Sequence, residues 1–194
     1  MYLAKFIVYF SILIWLLPPF RQLKGGYFLY FLILGYSDPL ALFLGWIFQL
    51  NVEYIQLITA FLLTISILFY NNNLNLKWIA ALLLLLMLSV WKVGVDKRYF
   101  YFIIFHIIIY LQILIPSIKE FYLKQRINIY FTVLLIYELT TILKFVAVAY
   151  NYFPGIYLFY ISVVFELVIG IFFIFYNLQN SPLIKLPARL TEDK

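Results

Sequence analysis

The segment NIYFTVLLIYELTTILKFVAVA, residues 128–149, decides the fold class. Only Glu138 and Lys144 carry charge within it, and it is as long as a bilayer-crossing helix, which takes roughly 17 to 25 predominantly apolar residues. The same measure applied outward gives helices at about 2–19, 53–70, 75–94, 99–116 and 155–176. With residues 26–50 they make about seven, an all-α polytopic transmembrane bundle over 1–176 followed by a short tail, 177–194. The composition agrees. Of 194 residues 66% are hydrophobic, 22% aromatic and only 11% charged, where soluble proteins carry about 25% charged residues. The mean hydropathy is +1.02.

The connectors between these runs carry the polar residues: Lys24-Gly25-Gly26, Asn71-Asn72-Asn73, Asp96-Lys97-Arg98, the 117–127 stretch with Lys119, Lys124 and Arg126, and Tyr152-Phe153-Pro154-Gly155. Tyr27, Trp46, Tyr54, Tyr70, Trp78, Trp91, Tyr150 and Tyr176 fall near helix ends, where amphipathic rings meet lipid headgroups. The first apolar run is followed by Pro18-Pro19-Phe20-Arg21 without a small-residue cleavage site, so it reads as a retained helix. The net charge of +6 is scattered singly at the ends of apolar runs, which fits topology signals and snorkelling anchors and excludes a nucleic-acid surface.

Residues 26–50 are long enough to cross but contain Ser37-Asp38-Pro39. Asp before Pro is how a helix begins, so the sequence predicts either a spanning helix broken at this point or a re-entrant hairpin. Charge bias favours the first. With seven spans and the N-terminus outside, Arg21, Lys24, Lys77, Lys119, Lys124, Arg126, Lys185, Arg189 and Lys194 lie inside and Lys5, Lys92, Lys97 and Arg98 outside, nine against four. The hairpin gives eight against five. The expected site is the cytoplasmic (inner) membrane, N-terminus out and tail in the cytoplasm.

An internal repeat is also suggested. At an offset of 106, Tyr54, Ile55, Ile65, Phe69, Tyr70 and Asn71 match Tyr160, Ile161, Ile171, Phe175, Tyr176 and Asn177. Pro18 with Arg21 and Pro116 with Lys119 close helices one and five alike. The implied three-plus-one-plus-three plan resembles, in architecture, the parallel repeats of sugar-exporter (SWEET) folds. The proline–glutamine pair of their PQ-loop relatives is absent; the run here is Pro19-Phe20-Arg21-Gln22.

A charged side chain at the centre of a spanning helix costs about 2.5–3.5 kcal/mol on insertion scales, so each one needs a reason. Asp38, His106, Glu138 and Glu166 fall near helix centres, with Lys144 six residues beyond Glu138. Six residues is roughly 9 Å of rise and about 120° of rotation, which argues against a direct Glu138–Lys144 bond and points Lys144 at Glu166 or a carbonyl. Together the five residues read as a polar site at the bilayer midplane, where carboxylates exchange protons and a carrier would couple. Structural explanations stand beside this one. Asp38 can cap a half-helix, Lys144 and Glu166 can be a pair that holds helices together, and His106 can be a packing residue. Glu138 is the hardest to explain by packing.

No catalytic, cofactor or metal site is expected. Cysteine is absent, histidine occurs once, and no phosphate loop, HExxH, GxSxG or paired-aspartate motif is present. GxxxG packing motifs are missing too, which predicts packing through large side chains. Two functional expectations remain: a small-solute or proton-linked transporter using the midplane carboxylates, or a non-catalytic subunit, anchor or sensor component of a larger membrane complex. Partners are the lipid bilayer and either a second copy of the chain or another membrane protein.

Overall fold

A computed structural model describes residues 2–49, 52–70, 95–150 and 155–185. The helix expected at 75–94 lies outside them, as does the end of the tail. The chain is mostly helical. In order, α1 is Tyr2–Trp15, α2 Pro18–Arg21, α3 Phe28–Phe48, α4 Val52–Tyr70, α5 Val95–Lys124, α6 Ile129–Ala149 and α7 Gly155–Phe175. Two short strands, β1 (Arg126–Asn128) and β2 (Leu183–Lys185), pair antiparallel with Ile127 opposite Ile184. Among the described residues three helices are long and apolar enough to cross a membrane, Phe28–Phe48, Arg98–Lys124 and Ile129–Ala149. The apolar runs Phe6–Arg21, Tyr54–Tyr70 and Ile161–Phe175 are shorter. The outer surface is correspondingly greasy, with Trp46, Phe6, Leu123, Phe175 and Ile161 all well exposed.

Helix ends sort to two poles. At one, Gln22 Nε2 donates to the Tyr176 carbonyl at 3.0 Å, Tyr130 donates to Gln22 Oε1 at 3.4 Å, and the Tyr27 and Tyr70 rings lie 4.8 Å apart. At the other, Arg98 donates to Tyr54 Oη at 2.8 Å and the Phe100 and Tyr150 rings are 6.1 Å apart. Thus α4 ends at the Gln22 pole while α5 begins at the Tyr54 pole.

The expected break in the second long helix does not occur. α3 runs unbroken from Phe28 to Phe48 with Pro39 inside it, which removes the re-entrant hairpin and the capping role for Asp38. The carbonyl that the proline ring crowds belongs to Gly35, the residue type whose backbone adjusts most readily. In the turn before it, Ser37 Oγ donates to the Leu34 carbonyl at 2.8 Å. In an apolar medium, opening the helix would leave more backbone groups without partners than keeping it closed.

The fifth expected helix is longer than its apolar core suggested. α5 continues past Pro116 to Lys124. Thirty residues span about 45 Å against a hydrocarbon core of about 30 Å, so its last turns project beyond the bundle. Glu120 ties that projection down, accepting from Arg126 Nε at 2.8 Å, and Gln125 ends the helix in the left-handed region at φ 45°. The first helix, conversely, stops at Trp15, and Pro18-Pro19 start the separate turn α2, where proline suits the first helical positions.

Asn128 caps α6, its Oδ1 accepting from the Tyr130 amide at 3.0 Å. Ser181 Oγ donates to the same oxygen at 2.9 Å, so the segment after α7 is fastened to the start of α6 and does not trail away. The main core gathers Trp15, Tyr30, Phe31, Ile109, Ile113, Tyr130, Leu134 and Phe173, and a second packs Leu57, Phe61, Phe102 and Phe105. Large side chains dominate, as expected, but two single glycines allow close approach. A Cβ on Gly35 would lie 2.4 Å from the Trp15 carbonyl oxygen, and one on Gly170 2.9 Å from Ile14 Cγ2. The sequence offered no GxxxG pair because each contact needs only one small residue, set against the same stretch of α1.

Candidate functional site

Helical rise puts the three central carboxylates at one depth. Asp38 is ten residues from the start of α3, Glu138 nine from the start of α6 and Glu166 nine from the end of α7, all from the Gln22 pole. Each lies about 14–15 Å from that pole, half of a hydrocarbon core of about 30 Å.

At this depth the helices line an open-sided cavity of about 130 Å³. A water needs only about 10–15 Å³ of such space, so the cavity has room for several. Asp38, His106, Lys144 and Glu166 all line it. The sequence singled them out because they were costly there, and the fold brings them to one place. Hydroxyl and amide groups from Ser11, Ser37, Gln56, Thr59 and Thr141 complete the wall. Apolar surface comes from Trp15, Leu63 and Phe102.

Lys144 Nζ donates to Glu166 Oε1 at 3.1 Å, joining α6 to α7. The pair is only partly buried, 30% and 18% exposed at the side chains, so it meets the cavity and does not lie sealed in the core. Asp38 is exposed on the wall. Two carboxyl groups therefore face one amine.

Glu138 is the exception among the five. It is 0% exposed and stands behind the wall. His106 Nδ1 lies 2.7 Å from its Oε2, and Tyr30 donates its phenolic hydrogen to Oε1. Both carboxylate oxygens are thus engaged, one by α5 and the other by α3. The carboxylate opposite Nδ1 favours the tautomer with its proton there, which makes Nε2 the acceptor nitrogen of the ring. Phe145 stacks on the imidazole with centroids 5.6 Å apart, which holds the ring's plane.

Lys144 meets Glu166, one of the two partners to which its place on the wheel pointed. Tyr30 was missed. It is one of 18 tyrosines, and nothing in its neighbours distinguishes a phenol aimed at a buried carboxylate from one at a headgroup. Ser11, Ser37 and Thr59 escaped for a similar reason, since hydroxyls in apolar helices usually bond back to their own backbone, as Thr59 also does to Ile55 at 2.9 Å. Among the described residues no group of three or more His, Asp or Glu is placed to hold a metal ion. In comparisons with protein families, curated proteins and solved structures, the chain matches none.

Proposed function

We propose that this chain is a multi-pass membrane carrier that moves protons or small polar solutes through a polar cavity inside its helix bundle. The observation that carries the reading is the meeting of Asp38, His106, Lys144 and Glu166 on one cavity wall at mid-depth. An ion pair that served only to join helices would need neither the extra carboxylate of Asp38 nor the surrounding hydroxyls. The cavity is small, which suits protons, ammonium-sized ions and solutes of a few heavy atoms over sugars.

We further propose seven spans in the inner membrane, N-terminus outside and C-terminus in the cytoplasm. The charge bias supports it, as does the placement of the end of α4 and the start of α5 at opposite poles, which a crossing between them requires. On this topology the Gln22 pole, with Arg21, Lys24, Lys124 and Arg126, is the cytoplasmic one.

The test is flux in proteoliposomes carrying a trapped pH indicator, with ammonium, formate and urea as trial solutes. Flux above that of protein-free vesicles, lost in the Asp38→Asn/Glu166→Gln double variant, is the expected result. Permeability equal to that of empty vesicles for every trial species would overturn the reading and favour a subunit role.

A further inference from the structure

Glu138 has no part in the cavity wall, yet it is the most completely buried acid in the described chain. A carboxylate at 0% exposure is expensive to hold in an apolar bundle, and a packing role would be served more cheaply by glutamine or leucine. Among the described residues its two oxygens meet the side chains of Tyr30 and His106. Tyr30 is itself buried, 1% exposed, and is not among the residues that line the cavity. His106 both bonds Glu138 and lines the cavity.

We propose that His106 passes protons between the cavity and Glu138, which makes Glu138 the proton-binding site of the carrier. The proposal rests on the carrier reading and names its coupling species as the proton. The transfer balances without a co-reactant. Nε2 takes a proton from hydronium in the cavity and leaves water, the imidazolium gives its Nδ1 proton to Glu138 Oε2, and the ring is left neutral with its proton on Nε2. Discharge is the reverse, Glu138 returning its proton to Nδ1 as Nε2 releases one. Tyr30 donates to Oε1 throughout, stabilising the ionised state, and Phe145 keeps the ring aligned while its two nitrogens exchange roles.

The titratable and charged groups around His106 and its partner acid are Tyr30 and Asp38 from α3, Tyr137, Glu138 and Lys144 from α6, and Glu166 from α7. A cationic solute in the cavity repels a proton arriving at His106, which couples the proton site to whatever occupies the cavity.

The chain contains a single histidine, so a ¹⁵N-histidine label reports on His106 alone. The experiment is solid-state NMR of the labelled full chain in lipid between about pH 5 and 8, the range in which histidines titrate. The expected result is a change of ring protonation or tautomer within that window. A ring that keeps one tautomer with its proton on Nδ1 throughout overturns the relay, whether or not vesicles show flux. Proton flux in Glu138→Gln vesicles supplies the second arm. A loss on the order of a hundredfold is expected for removing a positioned proton acceptor, and wild-type flux overturns the relay while leaving the carrier reading intact. If Glu138→Gln does not fold, the wild-type spectrum still decides. Absence of every flux in the wild type sinks the carrier reading by itself.

Discussion

Replacing Tyr30 with phenylalanine removes one oxygen from a site where nothing can take its place. Tyr30 is 1% exposed and Glu138 0%, and their bond joins positions 108 residues apart in the chain. A hydrogen bond to a charged group contributes about 1.5–3 kcal/mol in water-soluble proteins, partly because an orphaned acceptor stays desolvated. Within bilayers interhelical bonds average about 0.6 kcal/mol and reach about 1.7, since the unfolded chain also finds partners there. Glu138 is fully buried, so the upper part of the bilayer range applies. Tyr30→Phe should therefore cost about 1–2 kcal/mol. The assay is reversible unfolding in mixed micelles of increasing sodium dodecyl sulfate, followed by circular dichroism. Tyr130→Phe is the control, because its hydroxyl meets Gln22 only at 3.4 Å and should be worth less. Equal stability of Tyr30→Phe and wild type, or a larger loss in Tyr130→Phe, would refute the reasoning.

Further expectations follow from other contacts. Lys144→Met and Glu166→Gln should each destabilise, while the double variant recovers part of the loss, a coupling of about 0.5–2 kcal/mol in a double-mutant cycle; strict additivity would mean the pair contributes nothing. Gly35→Ala should cost about 1–3 kcal/mol because its Cβ meets backbone, and Gly170→Ala less because Ile14 can shift, a ranking that unfolding midpoints would check. Asn128→Ala should cost about 1–2 kcal/mol through the lost cap of α6, and limited proteolysis should then cut near Ser181, which the same side chain fastens.

The sequence made the helical membrane class plain, because apolar runs of spanning length leave no other way to satisfy the backbone. It also marked Asp38, His106, Glu138, Lys144 and Glu166, since charge in such runs is conspicuous. Two local signals misled. Asp38-Pro39 carries the chemistry of a helix start, but Gly35 and Ser37 let α3 pass through it unbroken. Pro116 reads as an end, yet α5 continues because the following residues favour helix and Glu120 anchors them. The division of labour inside the site was not legible. Four of the marked residues line the cavity while Glu138 stands behind it, a difference set by which way each helix turns against its neighbours. Tyr30 was hidden by number, being one phenol among many.

The central claim is that water reaches a polar cavity at mid-depth. The chain has no cysteine, so single cysteines can be placed at will. Thr59→Cys puts a thiol on the cavity wall and Ile113→Cys puts one in the dry core at 0% exposure. Only an ionised thiol reacts with a water-soluble thiosulfonate, and ionisation needs water. In intact proteoliposomes the account predicts rapid modification at position 59 and almost none at 113. Equal protection of both would contradict it.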